Sequence, residues 1–212
     1  MNPIVDRVMS TVAGQLGNPH GLLGKGVATF LNRGNRAMIE AAVAAAEVAA
    51  GESVADIGFG GGIGLTLLLD RVGTTGKVTG VELSRDMLVR ARSQFFDQVS
   101  TGKLRVAEGS LTVLPLDIGS VDAVITCNTV YFEPALEEAC VELARVLRSK
   151  GRLVVGIGDP DAMARMPFTK HGFRLRPVAE VVAAMEVAGL SVEQRELPMK
   201  PIPGHLLIGR PE

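Results

Sequence analysis

Asp56, Gly58, Gly60 and Gly62 alternate within Val54-Ala55-Asp56-Ile57-Gly58-Phe59-Gly60-Gly61-Gly62-Ile63-Gly64, a short apolar run that ends in an acid, then glycines, then a helical pattern. A strand, a tight turn and a helix in that order bring bare backbone against a nucleotide-like ligand, because glycine takes positive φ freely and carries no side chain. A second acid, Glu82, closes the next apolar run, and one carboxylate with two oxygens suits a vicinal diol. Other groups able to orient a substrate or move a proton are few. They are Asn128 and Tyr131, the chain's one Tyr, after a further apolar run, and the histidines His20, His171 and His205.

These residues need a scaffold, and the pattern supplies one. Strands are expected at 53–57, 77–82, 103–107, 121–126 and 151–157, separated by helices at 63–72, 84–99 and 134–148. That alternation implies right-handed crossovers and a parallel sheet. Ser84 suits an N-cap, Gly151 a helix stop, and Gly51 the end of an Ala-rich helix over 35–49. After an irregular stretch from Asp159 to Pro177, a helix over 178–188 leads to strands Leu190–Leu197 and Leu206–Arg210. The link between the last two is too short for a crossover helix, so they pair antiparallel. Residues 1–34 read as short amphipathic helices attached to a single core that occupies 35–212.

Composition narrows the function classes. A chain of 212 residues with 47% hydrophobic and 21% charged residues is sized for one α/β domain. A formal charge of -1 provides no broad basic surface for nucleic acid. Cys127 and Cys140 each fall in an apolar pattern, which predicts buried free thiols and no metal site. With charges at the N-terminus and no apolar stretch near the roughly 20 residues of a membrane span, a cytoplasmic protein without stable membrane insertion is expected.

The glycine register decides between cofactors. Counted from Gly58, the third glycine of a nicotinamide-type GxGxxG turn would fall at Ile63, and Tyr131 is followed four positions later by Ala135, so the YxxxK pair of short-chain dehydrogenases is absent. The D-x-G-x-G-x-G spacing instead resembles motif I of the class I S-adenosylmethionine-dependent methyltransferases. Four later segments are similar to the family's in order and spacing. They are Val81-Glu82-Leu83-Ser84, Glu108-Gly109-Ser110-Leu111-Thr112-Val113-Leu114-Pro115, Ser120-Val121-Asp122-Ala123-Val124-Ile125, and Glu142 to Leu153 with its Arg-Val-Leu-Arg-Ser-Lys-Gly core. Ser110 stands where the family has Asp, and Val121 replaces an aromatic.

The resemblance implies a Rossmann-like sheet of seven strands in the order 3-2-1-4-5-7-6, helices on both faces, and an N-terminal helical lid. It implies S-adenosylmethionine as cofactor and S-adenosylhomocysteine as product, held by Asp56, Gly58, Phe59, Gly60, Gly62, Glu82, Leu83, Gly109, Ser110, Leu111 and Asn128. Asp56 has two readings, a brace for the glycine loop through backbone N–H groups or a direct contact to the cofactor's methionine end. Catalytic groups would come from Tyr131, His20 and His171, while His205 is structural. The short form resembles the small-molecule branch that includes the quinone enzymes, so the partner is a small, apolar or amphipathic metabolite and the assembly a monomer or homodimer. Arsenite-methylating members use several cysteines, a set that two do not supply. A silent cofactor-binding scaffold and a nicotinamide oxidoreductase are the competing readings.

Overall fold

The computed structural model describes residues 35–200 and 202–212, so the expected lid over 1–34, with His20, lies outside the described residues. Seven strands are present: β1 (Ser53–Ile57), β2 (Lys77–Glu82), β3 (Leu104–Glu108), β4 (Val121–Cys127), β5 (Leu147–Gly158), β6 (Leu190–Leu197) and β7 (Gly204–Pro211). They form one sheet in the order β3-β2-β1-β4-β5-β7-β6. The first five pair parallel, and β7 runs antiparallel to both of its neighbours. This is the Rossmann-like methyltransferase order that the motifs implied.

Strand residues alternate between two cores, as the pleat requires. On one face Val54, Val78, Ile125 and Val154 meet helix α1 (35–45), α2 (Ile63–Arg71) and α3 (Arg85–Gln94). On the other, Ala55, Val81, Val124 and Val155 meet α5 (Leu136–Arg145) and α7 (Val178–Val187). Short pieces fill the gaps: α4 (Phe96–Ser100) after α3, and α6 (Pro160–Ala164) after β5.

Four sequence expectations shift, each for a tertiary reason. The helix expected over 84–99 breaks at Phe95, whose ring packs on Gly62, while Ser84 caps α3 as expected by accepting from Met87 N. The Ala-rich helix ends at 45 rather than at Gly51, with Glu47 taking the left-handed conformation (φ 48°). Just past its end, Ala46 O and Glu47 O accept hydrogen bonds from the buried Arg152 guanidinium, which also ion-pairs with Glu52. The helix expected over 134–148 ends at Arg145 and β5 starts at Leu147, so Gly151 lies inside the strand and is not a helix stop. Arg152 donates to Asp122 O beside the register shift between Val121 and Ala123. Finally, the irregular stretch holds α6, for which Asp159 is the N-cap and Pro160 the first residue, a signal present in the sequence.

Candidate functional site

The carboxyl ends of the parallel strands open onto a cavity of about 590 Å³, within the range of small-molecule sites. Its β1–β3 end is made mostly of backbone. Gly58 (φ 73°), Gly60 (φ 50°) and Gly62 (φ 83°) all occupy the left-handed region, so alternate glycines are what the turn needs. At Gly58 an added Cβ would collide with the Thr129 methyl, whereas at Gly60 it would meet nothing nearer than Gly58 O at 4.0 Å. Gly60 therefore faces open cavity.

Glu82 ties this end together. Its Oε2 accepts Gly60 N at 2.9 Å, and its Oε1 accepts Leu83 N at 2.8 Å and Ser84 N at 3.1 Å. The bracing that was one of the two readings of Asp56 is thus performed by Glu82, while Oε2, with one donor, keeps acceptor capacity toward the cavity. Asp56 is 5% exposed and lies against α2, where a Cβ on Gly64 would collide with its Oδ2. Burial first, and then the Glu82 charge, pushes the Asp56 carboxyl up to about 8.

The third wall follows β3. Ser110 Oγ accepts Val113 N at 3.1 Å and pairs with Thr112 Oγ1 at 3.1 Å, so the hydroxyl in the place of the usual Asp stabilises its own turn. Gly109 has no room for a side chain, since a Cβ would lie 2.8 Å from both Pro115 Cδ and Val81 Cγ1.

The opposite end is made of side chains. Met38 from α1, Met163 from α6, and Met166, Phe168 and Phe173 from the following stretch line it, together with Met199 from the β6–β7 link. Phe173 is the hub of the ring contacts, with centroids 4.7 Å from Phe132 and 5.7 Å from both Phe168 and Tyr131. Arg176 holds this corner by donating to Val130 O, Glu133 O and Pro134 O.

A family model described as a methyltransferase domain matches residues 55–155, the span from the aspartate strand through β5. An uncharacterised 37.1 kDa protein of a Streptomyces fradiae transposon is 33% identical over 129 residues, 57% of this chain and 36% of its own. The arsenite methyltransferase of Halobacterium salinarum is 30% identical over 123 residues, 58% of this chain and 30% of its own. Residues 55–155 are thus a methyltransferase domain. It spans about a third of the length of these two relatives. Among solved structures, the geranyl diphosphate C-methyltransferase of Streptomyces coelicolor A3(2), in complex with magnesium, geranyl diphosphate and S-adenosyl-L-homocysteine, superposes with a TM-score of 0.72 at 18% identity. The match covers 93% of this chain and 89% of that one.

In this methyltransferase domain the structure brings most of the expected site residues together. Asp56, Gly58, Phe59, Gly60, Glu82, Leu83, Gly109, Ser110, Leu111, Asn128 and Tyr131 all line the cavity. Phe59 presses its ring on Gly80 of β2, which leaves mainly its backbone for a ligand. Gly62 is not a wall residue; it is the N-cap of α2, packed under Phe95. His171 also lies outside the wall, ending the short helical turn Pro167–Lys170. His205 pairs with Asp159 at 3.2 Å, the structural role expected of it.

Tyr131 is present but spoken for. Its hydroxyl accepts Gly158 N at 2.5 Å and lies 3.3 Å from Asn128 Oδ1, joining the ends of β4 and β5. Burial raises its pKa far above the usual phenol range, which removes it as a base at neutral pH. Asn128 itself sits at φ 57°, a left-handed position that Asn tolerates. Cys127 also lines the cavity and burial drives its thiol strongly upward; Cys140, buried under the other face, is pushed up to about 11. The sequence pattern did not single out the methionines of the wall. Methionines at core spacing look like any packed interior.

Proposed function

We propose that this protein transfers a methyl group from S-adenosylmethionine to a small apolar or amphipathic acceptor by in-line displacement. One observation carries the reading: a single cavity joins the glycine turn and Glu82 to a wall of methionine and phenylalanine side chains. The residues present suit the cofactor, because Glu82 Oε2 retains acceptor capacity for a ribose hydroxyl and the space in front of Gly60 would be filled by any side chain. Bound there, S-adenosylmethionine supplies a methyl already activated by a sulfonium and departs as S-adenosylhomocysteine.

The protein's part is then positioning and exclusion of water. Glu82 and the Gly58–Gly62 turn fix the donor. Met163, Met166 and Phe173 hold the acceptor's apolar body in line and keep the reacting end dry. Among the described residues no histidine lines the cavity, and burial keeps Tyr131 and Cys127 protonated. That favours an acceptor whose nucleophilic atom needs little help, such as a thiolate, a neutral amine or an already acidic O–H or C–H. Polarizable methionines and aromatic edges suit an unsaturated or aromatic body.

Incubation of the purified protein with methyl-labelled S-adenosylmethionine and a fractionated metabolite extract tests the proposal. Label moving into an organic-extractable small molecule supports it. Tight cofactor binding with no transfer to any fraction favours a silent cofactor-binding protein instead. Among the described residues no helix is long and apolar enough to cross a membrane, so the assay runs without detergent.

A further inference from the structure

The glycine turn is held from two sides, and only one of them is backbone. On the β2 side Gly58 N donates to Val81 O at 2.8 Å, directly after Ile57 has paired with Val81. On the β4 side the register ends one residue earlier, at Asp56 and Ile125. Past that point side chains carry the attachment: Thr126 Oγ1 donates to Ile57 O at 2.9 Å and lies 2.6 Å from Thr129 Oγ1. A threonine hydroxyl has one hydrogen, and that of Thr126 is committed to Ile57 O, so Thr129 donates to Thr126. The result is a directed chain from Thr129 to Thr126 to Ile57. Thr126 is fully buried, where a hydroxyl is costly unless it is hydrogen-bonded in this way.

Asn128 brings the two threonines together. Its left-handed backbone (φ 57°) turns the chain at the end of β4, and its N–H donates to Gly156 O at 2.8 Å. Thr129 then lies against the turn, its methyl filling the place that a side chain on Gly58 would need. The hydroxyl and the methyl of a threonine share one Cβ, so holding the hydroxyl sets χ1 and with it the methyl. Thr129 belongs to the cavity wall, whereas Thr126 stands behind it.

We propose that Thr126 and Thr129 are positioning residues for the cofactor: their hydroxyl chain fixes the Thr129 methyl against Gly58 and so holds the glycine turn in the shape that keeps the space before Gly60 open and Gly60 N on Glu82. The inference rests on the cofactor reading above. Thr126 acts through its neighbours, since its side chain is not part of the wall. Without its hydroxyl, Ile57 O loses a donor, the Thr129 side chain is free to rotate, and the turn is tied firmly on the β2 side alone. Part of a ligand's binding energy then goes into restoring the turn, which appears as lost affinity.

Calorimetric titration of the full chain with S-adenosylhomocysteine, below the melting temperature of each variant, separates positioning from stability. Thr126→Val keeps the shape and removes the hydroxyl, and should raise the dissociation constant about fivefold. Thr126→Ser keeps the hydroxyl and should recover most of that loss. Thr129→Ser keeps the hydroxyl chain but removes the methyl on Gly58, and should weaken binding by about fivefold as well. A dissociation constant within about twofold of wild type for Thr126→Val or for Thr129→Ser, whatever the melting temperature, overturns the inference. So does equal damage from Thr126→Ser and Thr126→Val. Should Thr126→Val not fold, Thr129→Ser carries the test, because it removes one methyl from a half-buried side chain. Unaltered binding by the variants beside normal wild-type binding overturns this inference alone; failure of the wild type to bind overturns the cofactor reading with it.

Discussion

The cavity's two ends are built from different material. Toward β1–β3 the wall is backbone: three glycines at positive φ, amides gathered by Glu82, and a serine turn after β3. Toward β4–β7 it is side chains, methionines and phenylalanines brought from α1, α6 and the loops around them. Backbone recognition demands particular residues at fixed spacing, since only glycine serves where a Cβ would collide or take up ligand space. Side-chain recognition demands only volume and polarity, which many sequences satisfy. One end is therefore specialised for an unvarying ligand, and the other is adaptable.

The contrast can be broken by substitution. The largest effect is expected for Glu82→Ala, which removes the proposed ribose acceptor and orphans the amides of Gly60, Leu83 and Ser84. Cofactor affinity should fall on the order of 3 kcal/mol, about a hundredfold, with a lowered melting temperature. An unchanged dissociation constant in calorimetry would mean that this acid is only a brace. Gly60→Ala comes next: the added methyl enters open cavity, so cofactor affinity should drop roughly tenfold while the left-handed backbone costs only about 1–2 kcal/mol of stability in denaturant titration. Gly58→Ala should invert that pattern, losing chiefly stability, because its methyl would strike Thr129.

Phe173→Ala probes the other end. It should raise the acceptor KM by about tenfold, in line with the loss of an aromatic contact surface, yet leave the cofactor dissociation constant within about twofold. Equal damage to both constants would show that the two ends are not separable. Tyr131→Phe is milder, at about 1 kcal/mol of stability from the lost Gly158 hydrogen bond. Its kcat should keep the wild-type pH profile, since the phenol is not the base. Smallest is a pH effect on the empty protein. Asp56 has a raised folded-state pKa, so its contribution to stability is present below the unfolded carboxylate pKa and is lost as pH rises toward about 8. Melting curves of wild type should show that decline, and those of Asp56→Asn should flatten it.

The same division explains what was legible in the sequence. The strands, the glycine turn and the place of Glu82 at a strand end could be read because each rests on local spacing, while the strand order came with the family resemblance. The partner of Glu82 could not, because Gly60 and Glu82 are joined through the pairing of β1 and β2 rather than through neighbouring residues. Nor could the early start of β5 or the early end of α1, where Asp122 O, Ala46 O and Glu47 O accept from the distant Arg152 guanidinium. Tyr131 drew attention as a lone polar aromatic at a strand end. Its position was right, but only the fold shows that Gly158 already occupies its hydroxyl. The apolar wall left no trace, since Met163 and Phe173 differ from core residues only in facing a void.

The central claim is that the glycine turn and Glu82 form a site for S-adenosylmethionine. Calorimetric titration of the purified chain with S-adenosylmethionine, S-adenosylhomocysteine and NADH tests it most directly. The account predicts one-to-one binding of both sulfur compounds at micromolar concentrations and no heat from NADH; binding of NADH with neither sulfur compound would contradict it.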